Sequence, residues 1–257
     1  MDQWRTVLTL EIGPRTCRAS LVEQQHPAHV SAVATGHPVP TGDYAAVVSY
    51  RGTYDPPELT HTTFTRTTTR PAPTAPGDVR ALLDLALAVP GRHHDDAEAV
   101  AAVAICRPCP GTDAEDLLAA LLPEVPVVGV DALDVLARGA VIGDVLLTLD
   151  AGTDDHGDPL VHSAVYDDLG GRLSDPRTDT ADELAALVRQ DTRLGCPAST
   201  GIHHVLGDAA TTVAARLHGT RITEGPYAGD RITSSPPHHP DPAAAVAAAA
   251  TRLSWPR

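Results

Sequence analysis

Apolar residues along this chain fall into short runs separated by turn-forming residues, and two of the runs are near copies. VLTLEIG at residues 7–13 and VLLTLDAG at residues 145–152 are each an apolar stretch that ends in a carboxylate, one further residue and a glycine. Short apolar runs of this length, bounded by turn signals, predict buried strands. Each is followed by a second strand pattern, TCRASLVE at 16–23 and PLVHSAVYDD at 159–168, so each pair predicts a hairpin.

The elements after each hairpin repeat in the same order, which chance resemblance between two strands would not produce. In the first half the spacing predicts a helix over Gly77 to Val89, a strand over Ala99 to Ile105, a helix over Thr112 to Leu122 and a strand over Val125 to Val130. A helix from Asp131 to Gly139 closes that half, with Asp131 as its cap. The second half predicts a helix over Thr180 to Gln190, a strand over Gly201 to Leu206, a helix over Asp208 to His218 and a short strand over Thr220 to Thr223. Asp241 and Pro242 then open a final Ala-rich helix reaching Leu253. The Thr/Pro-rich segment Thr60 to Pro76 and the segment Gly225 to Pro240 read as loops, and residues 29–50 are expected to add strands to the first half.

Composition narrows the chemistry. Only 3% of the 257 residues are aromatic, so the core is built from Val, Leu, Ile and Ala. A net charge of −14 repels a phosphate backbone and argues against nucleic-acid binding. Every basic residue other than His is Arg. With no lysine, a Walker-type loop, a Schiff base and a kinase-style ATP lysine are excluded. The start, MDQWRTVLTLEIG, lacks the long apolar region of a cleaved leader, and no run of apolar residues is long enough to span a bilayer. Four unevenly spaced cysteines predict no disulfide scaffold, and the expected compartment is a reducing cytoplasm.

The repeated order resembles the actin, Hsp70 and sugar-kinase superfamily, within which the Hsp70 branch is most similar. LTLEIGPRT resembles its first phosphate loop, LLTLDAGTDD its second, DALDVLARGAVIG its connecting helix, and HHVLGDAATTVAARL its adenosine turn. DDLGGRLSDP and HPDPAAAVAAAATRL are similar to the stretch after the second hairpin and to the C-terminal helix entry. The resemblance implies an α/β fold, a duplicated ribonuclease H-like (actin-like ATPase) arrangement with two lobes around a cleft. Lobe I is then 1–142 with the C-terminal helix 236–257 packed back on it, and lobe II is 143–235. It further implies ATP or ADP with Mg²⁺ as cofactor. Glu11 and Asp150 match the catalytic acids that face the metal through its bound water, Gly13, Thr16, Gly152 and Thr153 match phosphate-loop positions, and Gly207 matches the adenosine turn.

The sequence departs from that pattern where the chemistry belongs. Glu11 stands for the usual Asp, and Pro14 removes an N–H from the first loop, with Arg15 as the candidate compensating cation. Asp154, Asp155 and Asp158 load the second loop with negative charge, and Asp208 stands where the family places a second glycine. The short interval from Gly171 to Gly201 leaves no room for the subdomain that clamps adenine in the Hsp70 branch. The expectation is therefore a degenerate module with weak MgATP binding and slow or no hydrolysis, acting as a conformational or assembly element with a protein partner. One alternative is a catalytically silent scaffold for protein contacts, associated with secretion on the similarity of the EIGPRT start to type VII secretion-associated proteins. The other is thiol redox chemistry at Cys106 and Cys109, which follow a strand and precede a helix as in a thioredoxin-like dithiol. The His93-His94, His203-His204 and His238-His239 pairs read as surface or loop residues, because neighbours on a strand point to opposite faces.

Overall fold

The computed structural model describes residues 4–25, 39–41, 44–51, 58–71, 98–106, 123, 125–137, 144–237 and 239–249. The chain divides into two compact units: Met1–Cys106, Gly111–Val130 and Pro242–Arg257 form the first, and Arg107–Pro110 with Asp131–Asp241 the second.

The first unit is a seven-stranded sheet in the order β3-β4-β5-β2-β1-β6-β7. Its strands are β1 (Trp4–Ile12), β2 (Thr16–Gln25), β3 (Val39–Thr41), β4 (Tyr44–Arg51), β5 (Glu58–Pro71), β6 (Glu98–Cys106) and β7 (Val127–Asp131). β1 is central, antiparallel to β2 and parallel to β6. Val7, Leu8, Leu10 and Ile12 are all buried, so successive residues on both faces are covered, as a strand beside a parallel neighbour requires. In the same unit the Ala-rich helix Pro242–Ala249 packs on β1, β2, β5 and β6, burying Ala245, Val246 and Ala249.

The second unit is a five-stranded sheet in the order β10-β9-β8-β11-β12. It is built from β8 (Val145–Thr153), β9 (Pro159–Tyr166), β10 (Arg177–Thr180), β11 (His204–Gly207) and β12 (Thr233–Ser234). Its helices are α1 (Ala132–Ala137), α2 (Ala181–Gln190) and α3 (Ala210–Arg216), while α4 is the C-terminal Pro242–Ala249 of the first unit. α2 begins in a capping box, Thr180 Oγ1 accepting the Glu183 N–H while Glu183 Oε2 accepts the Thr180 N–H. Its Ala181, Leu184, Ala185 and Val188 form one apolar stripe on Leu146, Val161 and Val165 of the sheet, each large side chain worth about 1.5–3 kcal/mol on burial. On β9, Tyr166 alternates to the other face and donates its hydroxyl to Asp134 of α1 at 2.7 Å, which places α1 opposite α2 and α3. α1 thus belongs to the second unit, whereas the sequence division placed residues 131–139 in the first half.

Both sheets share one pattern. Taking β5-β2-β1-β6-β7 and β10-β9-β8-β11-β12, the first strand of each unit is central, the second lies antiparallel beside it, and the fourth lies parallel on its other side. This is the ribonuclease H-like order, present twice in an α/β chain. The β3–β4 hairpin extends the first copy beyond it.

Two expectations are corrected. Residues 60–71 are not a loop: β5 runs from Glu58 and pairs with β2 from Thr62 to Pro71, because a Thr-rich run is β-branched and stiff whatever its polarity. The fifth strand of the second sheet is Thr233–Ser234 rather than Thr220 to Thr223, where Arg221 makes only an isolated bridge to Arg231. His204 fixes that edge, its ring nitrogens lying 2.7 Å from Thr233 Oγ1 and 2.7 Å from Ser235 Oγ. The expected helices at 77–89 and 112–122 lie outside the described residues.

Burial holds the imidazoles of His162 and His204 below the usual histidine range. The unfolded chain therefore takes up protons near pH 6.5 before the folded one does, so these groups favour folding fully above that pH and lose their contribution as pH falls through the folded values. The urea midpoint is expected to drop between pH 7 and pH 5, and a His162→Gln, His204→Gln variant to show a flatter profile; an identical slope in both proteins would contradict this.

Candidate functional site

In the first unit Glu11 lies at the end of β1, and the tight turn that follows sets its surroundings. The Gly13 N–H donates to the Thr16 carbonyl at 2.9 Å, closing a turn through Pro14 and Arg15 and pairing Ile12 with Cys17. One step further from the turn, Glu11 faces Arg18 across the hairpin. Their side chains, 7% and 21% exposed, form an ion pair of 2.6 Å. Arg18 thus supplies a cation at Glu11, and Arg15 and Thr16 lie exposed in the turn. The sequence reading overlooked Arg18, although a hairpin that closes on Gly13 and Thr16 dictates the register that brings it there. Beside it, burial first and the Glu11 charge second push the Cys17 thiol up to about 12, which disfavours the reactive thiolate.

In the second unit Asp150 and Asp208 stand at the C-terminal ends of the adjacent parallel strands β8 and β11. Asp208 Oδ1 accepts the Asp150 N–H at 2.7 Å, and Asp150 Oδ1 accepts the Gly152 N–H at 2.9 Å. Ala151 is an extra residue between the pairs Asp150–Val161 and Gly152–Leu160, a bulge that bends the strand end. The approach of the two strands depends on Gly207: at φ +121, a Cβ there would lie 1.9 Å from the Thr148 carbonyl oxygen. The Thr148 hydroxyl in turn donates to the Leu206 carbonyl at 3.0 Å. Gly207 therefore serves strand packing directly. At the base of β8, buried Asp144 accepts the Ser199 and Thr200 hydroxyls at 2.8 and 3.0 Å and the Thr200 N–H, which ties the loop before β11 to the start of β8.

Beyond Gly152 and exposed Thr153, the β8–β9 turn closes on Asp154. Its Oδ1 accepts the N–H groups of His156 and Asp158, both at 2.8 Å, and its carbonyl accepts that of Gly157 at 3.1 Å. The N–H of Asp158, ahead of the other contacts, holds the Asp154 carboxyl below its ordinary range.

Two units of one topology, each with an acid at the end of its first strand, decide the fold class. The fold is that of the actin-like ATPases. Solved structures similar to this chain of actin-like fold include a Ppx/GppA enzyme of Aquifex aeolicus, at 12% identity and a TM-score of 0.42, covering 84% of this chain and 72% of that one. Another is MreB5 of Spiroplasma citri bound to ADP, at 13% identity and a TM-score of 0.35, covering 77% of this chain and 59% of that one. No family model and no curated protein matches the sequence. The fold class rests on the strand order of each unit rather than on these superpositions.

The donor set limits what Mg²⁺ could meet in an actin-like site. Arg18 on the Glu11 carboxylate competes with a dication there, so Glu11 does not fit that role. Asp150 Oδ1 already accepts the Gly152 N–H, and among the described residues no group of three or more His, Cys, Asp or Glu is placed to hold an ion. Cys109 lies outside the described residues, as does the side chain of Cys106, so the dithiol expected there does too.

Gly207→Ala is expected to cost about 3 kcal/mol or more in urea unfolding, because the methyl group runs into the Thr148 carbonyl. A loss below about 1 kcal/mol would show that β11 does not lie so close to β8.

Proposed function

We propose that this chain is a degenerate nucleotide-binding module, similar in element order to the Hsp70 branch, that binds MgATP weakly through Asp150, turns it over slowly or not at all, and acts as a conformational or assembly element for a protein partner. The observation that carries this reading is the pairing of a retained frame with committed site groups. Acids remain at the ends of β1 and β8, yet Glu11 is neutralised by Arg18 and the Asp150 N–H is taken by Asp208. The absence of lysine removes the catalytic amine of the Hsp70 branch. Between Gly171 and Gly201 the chain spends its length on β10, α2 and a tight turn after Asp191, which supports loss of the adenine clamp.

A catalytically silent scaffold is the second reading, favoured by the Glu11–Arg18 pair, which meets the acid's need for a cation from within. In either case the strongly negative charge supports a protein rather than a nucleic acid as partner. Free, buried Cys17 and Cys196 support a reducing cytoplasm. Among the described residues no helix is long and apolar enough to cross a membrane.

The test is thermal unfolding in millimolar MgATP combined with a phosphate-release assay. Wild type is expected to gain about 1–2 °C, Asp150→Ala to gain nothing, and neither to release phosphate above the blank. Absence of any wild-type shift would favour the scaffold, and micromolar affinity with turnover would overturn both readings.

A further inference from the structure

We infer that the β8–β9 turn carries its own anion: the Asp154 carboxylate occupies the backbone N–H groups that would otherwise receive a phosphate and so excludes it. This rests on the nucleotide-module reading above and states how its second loop is regulated.

A turn that follows a strand can aim successive N–H groups at one point and bind an anion with no side-chain cation. Here that point is Asp154 Oδ1, which receives His156 N–H and Asp158 N–H at the same 2.8 Å. Three further N–H groups of the segment are also spent: Gly152 on Asp150 Oδ1, Asp154 on the Asp158 carbonyl, and Gly157 on the Asp154 carbonyl. Because the carboxylate belongs to the same five-residue turn, it is present at an effective concentration that no free phosphate matches.

The chain supplies its own comparison. Asp167 accepts the Leu169 and Gly171 N–H groups at 2.9 and 2.6 Å, and Asp191 accepts those of Arg193 and Gly195 at 2.8 and 2.7 Å. All three Asp residues bind the N–H groups two and four positions ahead, but only Asp154 does so directly after the strand that ends in Asp150 and Gly152. A purely structural turn and a plugged anion site therefore make different predictions when the carboxylate is removed.

Inorganic pyrophosphate is the probe, read by thermal unfolding and by the amide resonances of His156 and Asp158. Wild type and Asp167→Gly are expected to show no response, while Asp154→Gly gains about 2 °C at millimolar pyrophosphate with shifts at both amides. Asp154→Asn retains the acceptor without its charge, and exchange of those two amides is expected to quicken about tenfold. Pyrophosphate binding by wild type, indifference of Asp154→Gly, or unchanged exchange in Asp154→Asn would each overturn the inference. A wild-type response to MgATP beside an indifferent Asp154→Gly would sink the plug and leave the nucleotide reading standing. A pyrophosphate-responsive Asp154→Gly beside a wild type blind to MgATP would do the reverse.

Discussion

The second unit is organised by the contact between Gly207 and the backbone of Thr148. Without a side chain at Gly207, β11 closes on β8, Thr148 reaches the Leu206 carbonyl, and Asp208 arrives where its carboxylate takes the Asp150 N–H. Strand packing and site geometry are one constraint here, since any widening of the β8–β11 gap would release Asp208 from Asp150. Asp144 guards the same pair of strands from the other end by binding Ser199 and Thr200. The acids at the strand ends are thus held by the fold itself.

Carboxylates do much of this chain's backbone capping. Asp131 caps α1, and Asp154, Asp167 and Asp191 each close a turn on two N–H groups. Charge-assisted bonds of this kind are stronger than neutral ones and suit a chain of −14 net charge in which carboxylates are plentiful. At the ends of β1 and β8 the same preference for internal partners recurs: Glu11 pairs with Arg18, and the Asp150 N–H with the Asp208 carboxylate.

The duplication was legible because β1 and β8 carry the same apolar run, acid and glycine, and the sheets confirm that both strands are central. α2 was legible for a similar reason, its Thr180 cap and its stripe of Ala and Leu being local signals. β5 was not, since polar threonine and nearby prolines look like loop until pairing with β2 reveals a strand. β12 has two residues and owes its place to His204 and β11, a tertiary cause with no local signature. In the candidate site, motif position singles out Glu11, Asp150 and Gly207, whereas Arg18 follows only from hairpin register. Asp154 was read as repulsive crowding because its bonds to its own turn depend on a conformation that composition does not express.

The most direct measurement is a crystal structure of the wild-type protein soaked with MgADP. The account predicts Asp208 still on the Asp150 N–H and Asp154 still on the N–H groups of His156 and Asp158, with no phosphate oxygen bound in that turn. Phosphate oxygens on those N–H groups, with the carboxylates swung aside, would contradict it.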